Sequence, residues 1–149
     1  MATKDENVEL ITKVTFNWVH GNYQDILPYV AEDAVYEIAK GAIEKFSPLF
    51  GVFRGKPAIA RWYEANTQAA ASPTGIRPFC FIGDLGEFIG AGDKVINYGT
   101  MKQTSTEPAC DWIAIWTLDA AMIKHCWLVM DTAAAFLKLK KQNPKIVLE

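Results

Sequence analysis

The chain has 149 residues, 50% of them hydrophobic and 21% charged, with a formal net charge of −2. That is enough apolar material for one domain with a real core, and it excludes a disordered chain. The charge balance, with no Lys/Arg stripe interleaved with aromatics, excludes a nucleic-acid surface, and no run approaches the roughly 18 apolar residues of a membrane span.

The charged start, Met1 to Asn7, lacks the apolar core of a signal peptide. Cys80, Cys110 and Cys126 are odd in number, widely spaced and without a CxxC pair. This pattern fits reduced thiols in a cytoplasmic protein and argues against zinc. Lys138, Lys140, Lys141 and Lys145 form a basic cluster that reads as a solvated tail after a helix C-terminus.

In chain order, Val8, Ile11, Val14 (or Thr15), Trp18 and Val19 recur at helical spacing over 5–20, and Gly21-Asn22 stops that helix. A short helix with Ile26, Leu27 and Val30 on its apolar face follows, then a strand over 34–38. Residues 40–54 are apolar but interrupted by Gly41, Pro48 and Gly51, and they read as a loop over a pocket mouth. A helix opens at Gly55-Lys56-Pro57, with the proline in its first turn, and carries Ile59, Trp62, Tyr63 and Asn66. Strands are then predicted over 76–82, 88–89, 94–104, 110–118 and 122–130, with a turn at 104–108. Helices first and strands afterwards give an α+β class, a cone-shaped barrel with N-terminal helices packed on a strongly curved mixed or antiparallel sheet. Residues 112–118 barely alternate, so both faces of that strand need cover. The concave face meets helices and ligand, and the convex face predicts a homodimer.

Three segments carry a family resemblance. They are Ala31-Glu32-Asp33-Ala34-Val35-Tyr36-Glu37, Phe53-Arg54-Gly55-Lys56-Pro57-Ala58-Ile59-Ala60-Arg61-Trp62-Tyr63 and Met122-Ile123-Lys124-His125-Cys126-Trp127. In them, nearly the whole chain, residues 1–149, resembles a single domain of the nuclear-transport-factor-2-like superfamily. Within it the chain looks most like the SnoaL-type polyketide cyclases and ketosteroid-isomerase-related proteins. The resemblance implies a proton-shuttling Asp where this sequence has Ile38, and oxyanion-hole groups near Val14 and Ala114. It implies an acid near Leu128, and the Arg and Asp of epoxide hydrolases near Gly99 and Met101. Two matches keep a functional group: Tyr36, like a water-positioning tyrosine of the hydrolases, and Tyr63, like a pocket tyrosine of the isomerases.

Strand alternation puts Tyr36, Ile38, Asn97, Met101, Cys110, Trp112 and Leu128 on the concave side, an apolar lining with a few polar groups. Trp62 joins them from the helix. Tyr36 is either a donor to a carbonyl or enolate oxygen or a strand aromatic with its hydroxyl at the rim. Tyr63 is either a second donor or core. His125 is the natural acid–base group near neutral pH, yet alternation turns it away from Cys126 unless a β-bulge intervenes. Glu37, opposite in direction to Tyr36, reads as a cross-strand partner in place of a base, and Asp131 either orients a catalytic group or caps the strand end.

No Walker loop, GxGxxG, HExxH or GxSxG occurs, so no cofactor or metal is implied. The expectation is a cofactor-independent isomerase, cyclase or lyase of secondary metabolism, acting on a small apolar polyketide-, terpenoid- or steroid-like intermediate. Tyr36, Tyr63, His125 and Asp131 are its candidate catalytic residues. The alternative is a non-catalytic binding or assembly module on the same fold.

Overall fold

The computed structural model describes residues 2–41, 44–71, 86–101 and 110–131, with positions 137, 140, 144 and 145. Expectations for a strand at 76–82, the turn at 104–108, Cys80, and Lys138 and Lys141 of the basic tail lie outside them.

Helix α1 (Lys4–Val19) begins with a capping box: the Glu6 amide donates to Thr3 Oγ1, and the Thr3 amide to the Glu6 carboxylate. Asn7, Ile11, Val14, Thr15 and Trp18 form its buried face. The segment predicted as a short helix is two 3₁₀ turns, Tyr23–Asp25 and Leu27–Tyr29. Val30, expected on that helix, instead opens strand β1 (Val30–Ile38). Its first residues resist a period-two reading because the register with β6 slips between Val30 and Val35. The segment read as loop contains strand β2 (Gly51–Arg54), antiparallel to β1. Helix α2 (Lys56–Ala71) follows, with Ile59, Trp62, Tyr63 and Asn66 buried one turn after another.

The remaining strands are β3 (Phe88–Ala91), β4 (Lys94–Met101), β5 (Cys110–Asp119) and β6 (Met122–Met130). They complete a six-stranded sheet of order β2-β1-β6-β5-β4-β3, antiparallel throughout except for the β1–β6 pair. The result is α+β, with the helices packed on one face of a mixed sheet that does not close. Gly90 lets α1 sit directly on β3, because a Cβ there would stand 2.6 Å from Lys4 Cγ and 2.9 Å from Val8 Cγ2.

β5 alternates after all. Cys110, Trp112, Ala114, Trp116 and Leu118 are buried, while Ile113 and Ile115 point to the convex face. The apolar run is therefore core on one side and half-exposed surface on the other.

Candidate active site between helices and sheet

The sheet register sorts the inward side chains into rungs. One runs from Tyr36 through Cys126 and Trp116 to Val95. The next runs from Ile38 through Leu128 and Ala114 to Asn97. Ile38, Leu128 and Ala114 are three of the positions where the resemblance places acids. They are neighbours on this second rung, and all three are buried and apolar. Asn97 is its polar member, with no exposed surface.

Tyr36 from β1 and Tyr63 from α2 meet above the first rung, their hydroxyl oxygens 3.0 Å apart and both residues fully buried. Each hydroxyl carries one proton and the pair shares one hydrogen bond, so the accepting tyrosine keeps its own proton for another acceptor. Burial pushes the Tyr36 phenol well above its ordinary range, and the Tyr63 phenol likewise. Both are neutral donors at any physiological pH.

Aromatic rings hold the pair in place. Tyr36 meets Tyr63, Trp62 and Trp116 edge to face at centroid distances of 5.8, 5.9 and 6.0 Å, and Trp18 of α1 stands against Trp62 and Tyr63. Trp62 also donates its Nε1–H to the Leu49 carbonyl at 2.9 Å, which docks the segment before β2 onto α2. Thr15 Oγ1, Asn66 Nδ2 and Asn97 Nδ2 are buried without a hydrogen-bond partner. Leaving such a group unmatched costs about 1–3 kcal/mol.

The other candidates separate from this cluster. Cys110 and Trp112 are buried on the same face as Asn97, nearer the strand ends. The Met101 side chain lies outside the described residues, although its backbone pairs with Cys110. Asp131 follows β6 at an open cleft of about 710 Å³ lined by Tyr98, Thr100, Asp111, Ile113 and Val129. There its amide donates to the Asp111 carbonyl, and Thr100 donates to the Asp111 carboxylate.

His125 does not meet the tyrosines. A bulge does occur in β6, where pairing shifts between Thr117/His125 and Leu118/Ile123. It falls before His125, so Ile123 and Cys126 both point inward while His125 stays outside. There its Nε2 lies 2.7 Å from Glu37 Oε2, and Lys40 holds the other carboxylate oxygen at 2.7 Å. Lys40 first and His125 second hold the Glu37 carboxyl below the usual carboxylate range. The buried thiol of Cys126 is pushed well up by desolvation and stays protonated.

No protein-family model matches the sequence, and neither does any curated protein. Solved structures do match in shape. An NTF2-like protein from Burkholderia xenovorans superimposes with a TM-score of 0.64 at 21% identity, covering 89% of this chain and 95% of that one. TerC, co-crystallized with polyporic acid, gives 0.69 at 19% identity over 90% and 98%. An NTF2-like protein of unknown function from Burkholderia pseudomallei gives 0.71 at 15% identity over 93% and 98%.

The chain has the NTF2-like fold.

At these identities the likeness shows the fold alone. On that NTF2-like frame, sequence reasoning placed Asn97 inward but missed its lock, a hydrogen bond from Trp116 Nε1 to Oδ1 at 2.8 Å. The signal was a strand register that only pairing supplies. Thr15 and Asn66 were legible as polar residues on otherwise apolar helix faces.

Proposed function

We propose that this protein is a cofactor-independent isomerase or cyclase that folds and polarises a small apolar, carbonyl-bearing intermediate of polyketide, terpenoid or steroid type. The buried Tyr36–Tyr63 hydroxyl pair carries this reading. In a low-dielectric interior, a preorganised donor aimed at a carbonyl oxygen stabilises the negative charge that develops on enolisation or ring closure. Among the described residues the inward faces bring no carboxylate or imidazole to this pair. The substrate class favoured is therefore one with an acidic C–H, as in a β-dicarbonyl, whose proton passes to the substrate's own second carbonyl oxygen as the enol forms. Ile38, Trp62, Trp112 and Leu128 shape the apolar walls. TerC, co-crystallized with a small molecule, supports ligand binding on this fold.

The apolar rung of Ile38, Leu128 and Ala114 favours a second reading, a binding module that holds its ligand unchanged. Native mass spectrometry with a library of polyketide-, terpenoid- and steroid-like compounds, followed by chromatography of the released ligand, separates the two. An isomerised or cyclised product is expected, with turnover falling about 100-fold in Tyr63→Phe and in Tyr36→Phe. A ligand released unchanged supports the binding module, and full turnover in both variants overturns the tyrosine assignment.

A further inference from the structure

The outward face of the sheet is ordered in rows as strictly as the inward one. Across β6, β5 and β4, the register sets His125, Thr117 and Lys94 in one row and Trp127, Ile115 and Ile96 in the next. Val129, Ile113 and Tyr98 form the third. Asp131, whose amide donates to the Asp111 carbonyl, stands with Asp111 and Thr100 in the fourth. Two apolar rows thus separate a row bearing Lys94 and His125 from a row bearing two carboxylates. The carboxylate beside the first row is already matched, since Lys40 and His125 each hold Glu37 at 2.7 Å. Asp93 lies 4.0 Å from Lys94 with both side chains exposed, a contact that water screens.

The relief of the face follows the same order. Trp127, 44% exposed, projects from the second row. The open cleft of about 710 Å³ is lined by Tyr98, Ile113 and Val129 of the third row and by Thr100, Asp111 and Asp131 of the fourth. One copy therefore carries both a projection and a recess, in neighbouring rows.

Aligned face-to-face packing of two identical sheets about a twofold axis leaves two registers. An axis along the strands sets each row against the same row of the partner, acids on acids. An axis across the strands reverses the rows, first over fourth and second over third, and keeps each strand over its own copy. Like charges brought face to face oppose association, so charge selects the second register. That register also lays each Trp127 over the partner's Val129, in the floor of the cleft. A face that complements itself under one twofold is what an isologous dimer needs and a different partner does not.

We infer that a second copy of the chain seats head to tail on this face, the Trp127 of each subunit entering the other's cleft and Lys94 and His125 meeting the partner's Asp111 and Asp131.

Sedimentation velocity on the full chain, over a range of concentrations, tests the register. Asp111→Lys sets cation against cation at two places in each dimer and is expected to weaken association at least about tenfold. Lys94→Glu sets acid against acid and is expected to do the same. Both side chains lie on the surface, so the fold is not at stake. Mixed one to one, the two variants are expected to form a heterodimer of wild-type affinity, because one contact is then reversed and the other native. Variants that each self-associate as tightly as the wild type overturn the inference in favour of like rows on like. A mixture that associates no better than its components overturns it too, as does a wild type with no dimer at any concentration.

Discussion

At the scale of single residues, the Tyr36–Tyr63 contact makes demands that can be measured. Removing either hydroxyl leaves the other buried without its partner, so Tyr63→Phe is expected to lower stability by about 1–3 kcal/mol in urea unfolding, beside its effect on turnover. The pH dependence has a definite sign. A phenol whose folded pKa is raised keeps its full stability contribution below the unfolded value near 10, and loses it as pH rises past that point. Of the chain's 5 tyrosines, two should therefore resist ionisation in the native protein and titrate only with unfolding. Absorbance at 295 nm against far-ultraviolet circular dichroism checks this, and a full complement of tyrosines titrating together before unfolding would contradict the burial. Glu37 works in the opposite sense: its lowered pKa adds stability above the ordinary carboxylate range that is lost as pH falls.

Among the elements, the β5–β6 hairpin carries an avoidable strain. Its two-residue turn is Ala120-Ala121, with φ of 48° and 61°, between the paired Asp119 and Met122. Both central residues sit in the left-handed region that a tight hairpin of this twist requires, where alanine is disfavoured by about 1 kcal/mol or more. The double substitution Ala120→Asn with Ala121→Gly is expected to raise stability by about 1–2 kcal/mol, read as a higher thermal midpoint with the same circular dichroism spectrum. The same turn shows why some elements were easier to read than others. Helices α1 and α2 announced themselves through apolar spacing and, for α2, a proline in the first turn. β2 did not, because a four-residue strand that follows Pro48 and opens on Gly51 has too few positions to show a period. The start of β1 was hidden by its register slip, since Val30 pairs with Ile123 and the ladder resumes only at Val35, so the residues between follow no single period. Tyr36, Tyr63 and Asn97 were legible as inward residues; their hydrogen-bond partners lie 27 and 19 positions away and were not.

Considering the molecule as a whole, one sheet face is core and the other leaves Tyr98, Ile113, Trp127 and Val129 between 38% and 44% exposed. Contiguous apolar surface of this kind marks an interface, and we propose that a second copy of the chain covers it. Trp127→Glu is then expected to convert a dimer to a monomer in analytical ultracentrifugation without disturbing the buried tyrosines, whose side chains lie on the opposite face. A wild-type chain that sediments as a monomer at high concentration would refute the dimer. No helix among the described residues is long and apolar enough to cross a membrane.

The parallel pairing of β1 with β6 also sets a schedule for the chain. β1 finds β6 beside it, and Glu37 reaches His125 across 88 positions of sequence. Until the last strand has been synthesised, β1 has only the short β2 to pair with, and a two-stranded ribbon is marginal on its own. Helix α1 can already lie on β3 and β4, but α2 has only that ribbon to cover, and Tyr36 and Tyr63 have no floor of Cys126 beneath them. Burial of the Tyr36–Tyr63 pair must therefore wait for β6, and it is among the last things a nascent molecule acquires.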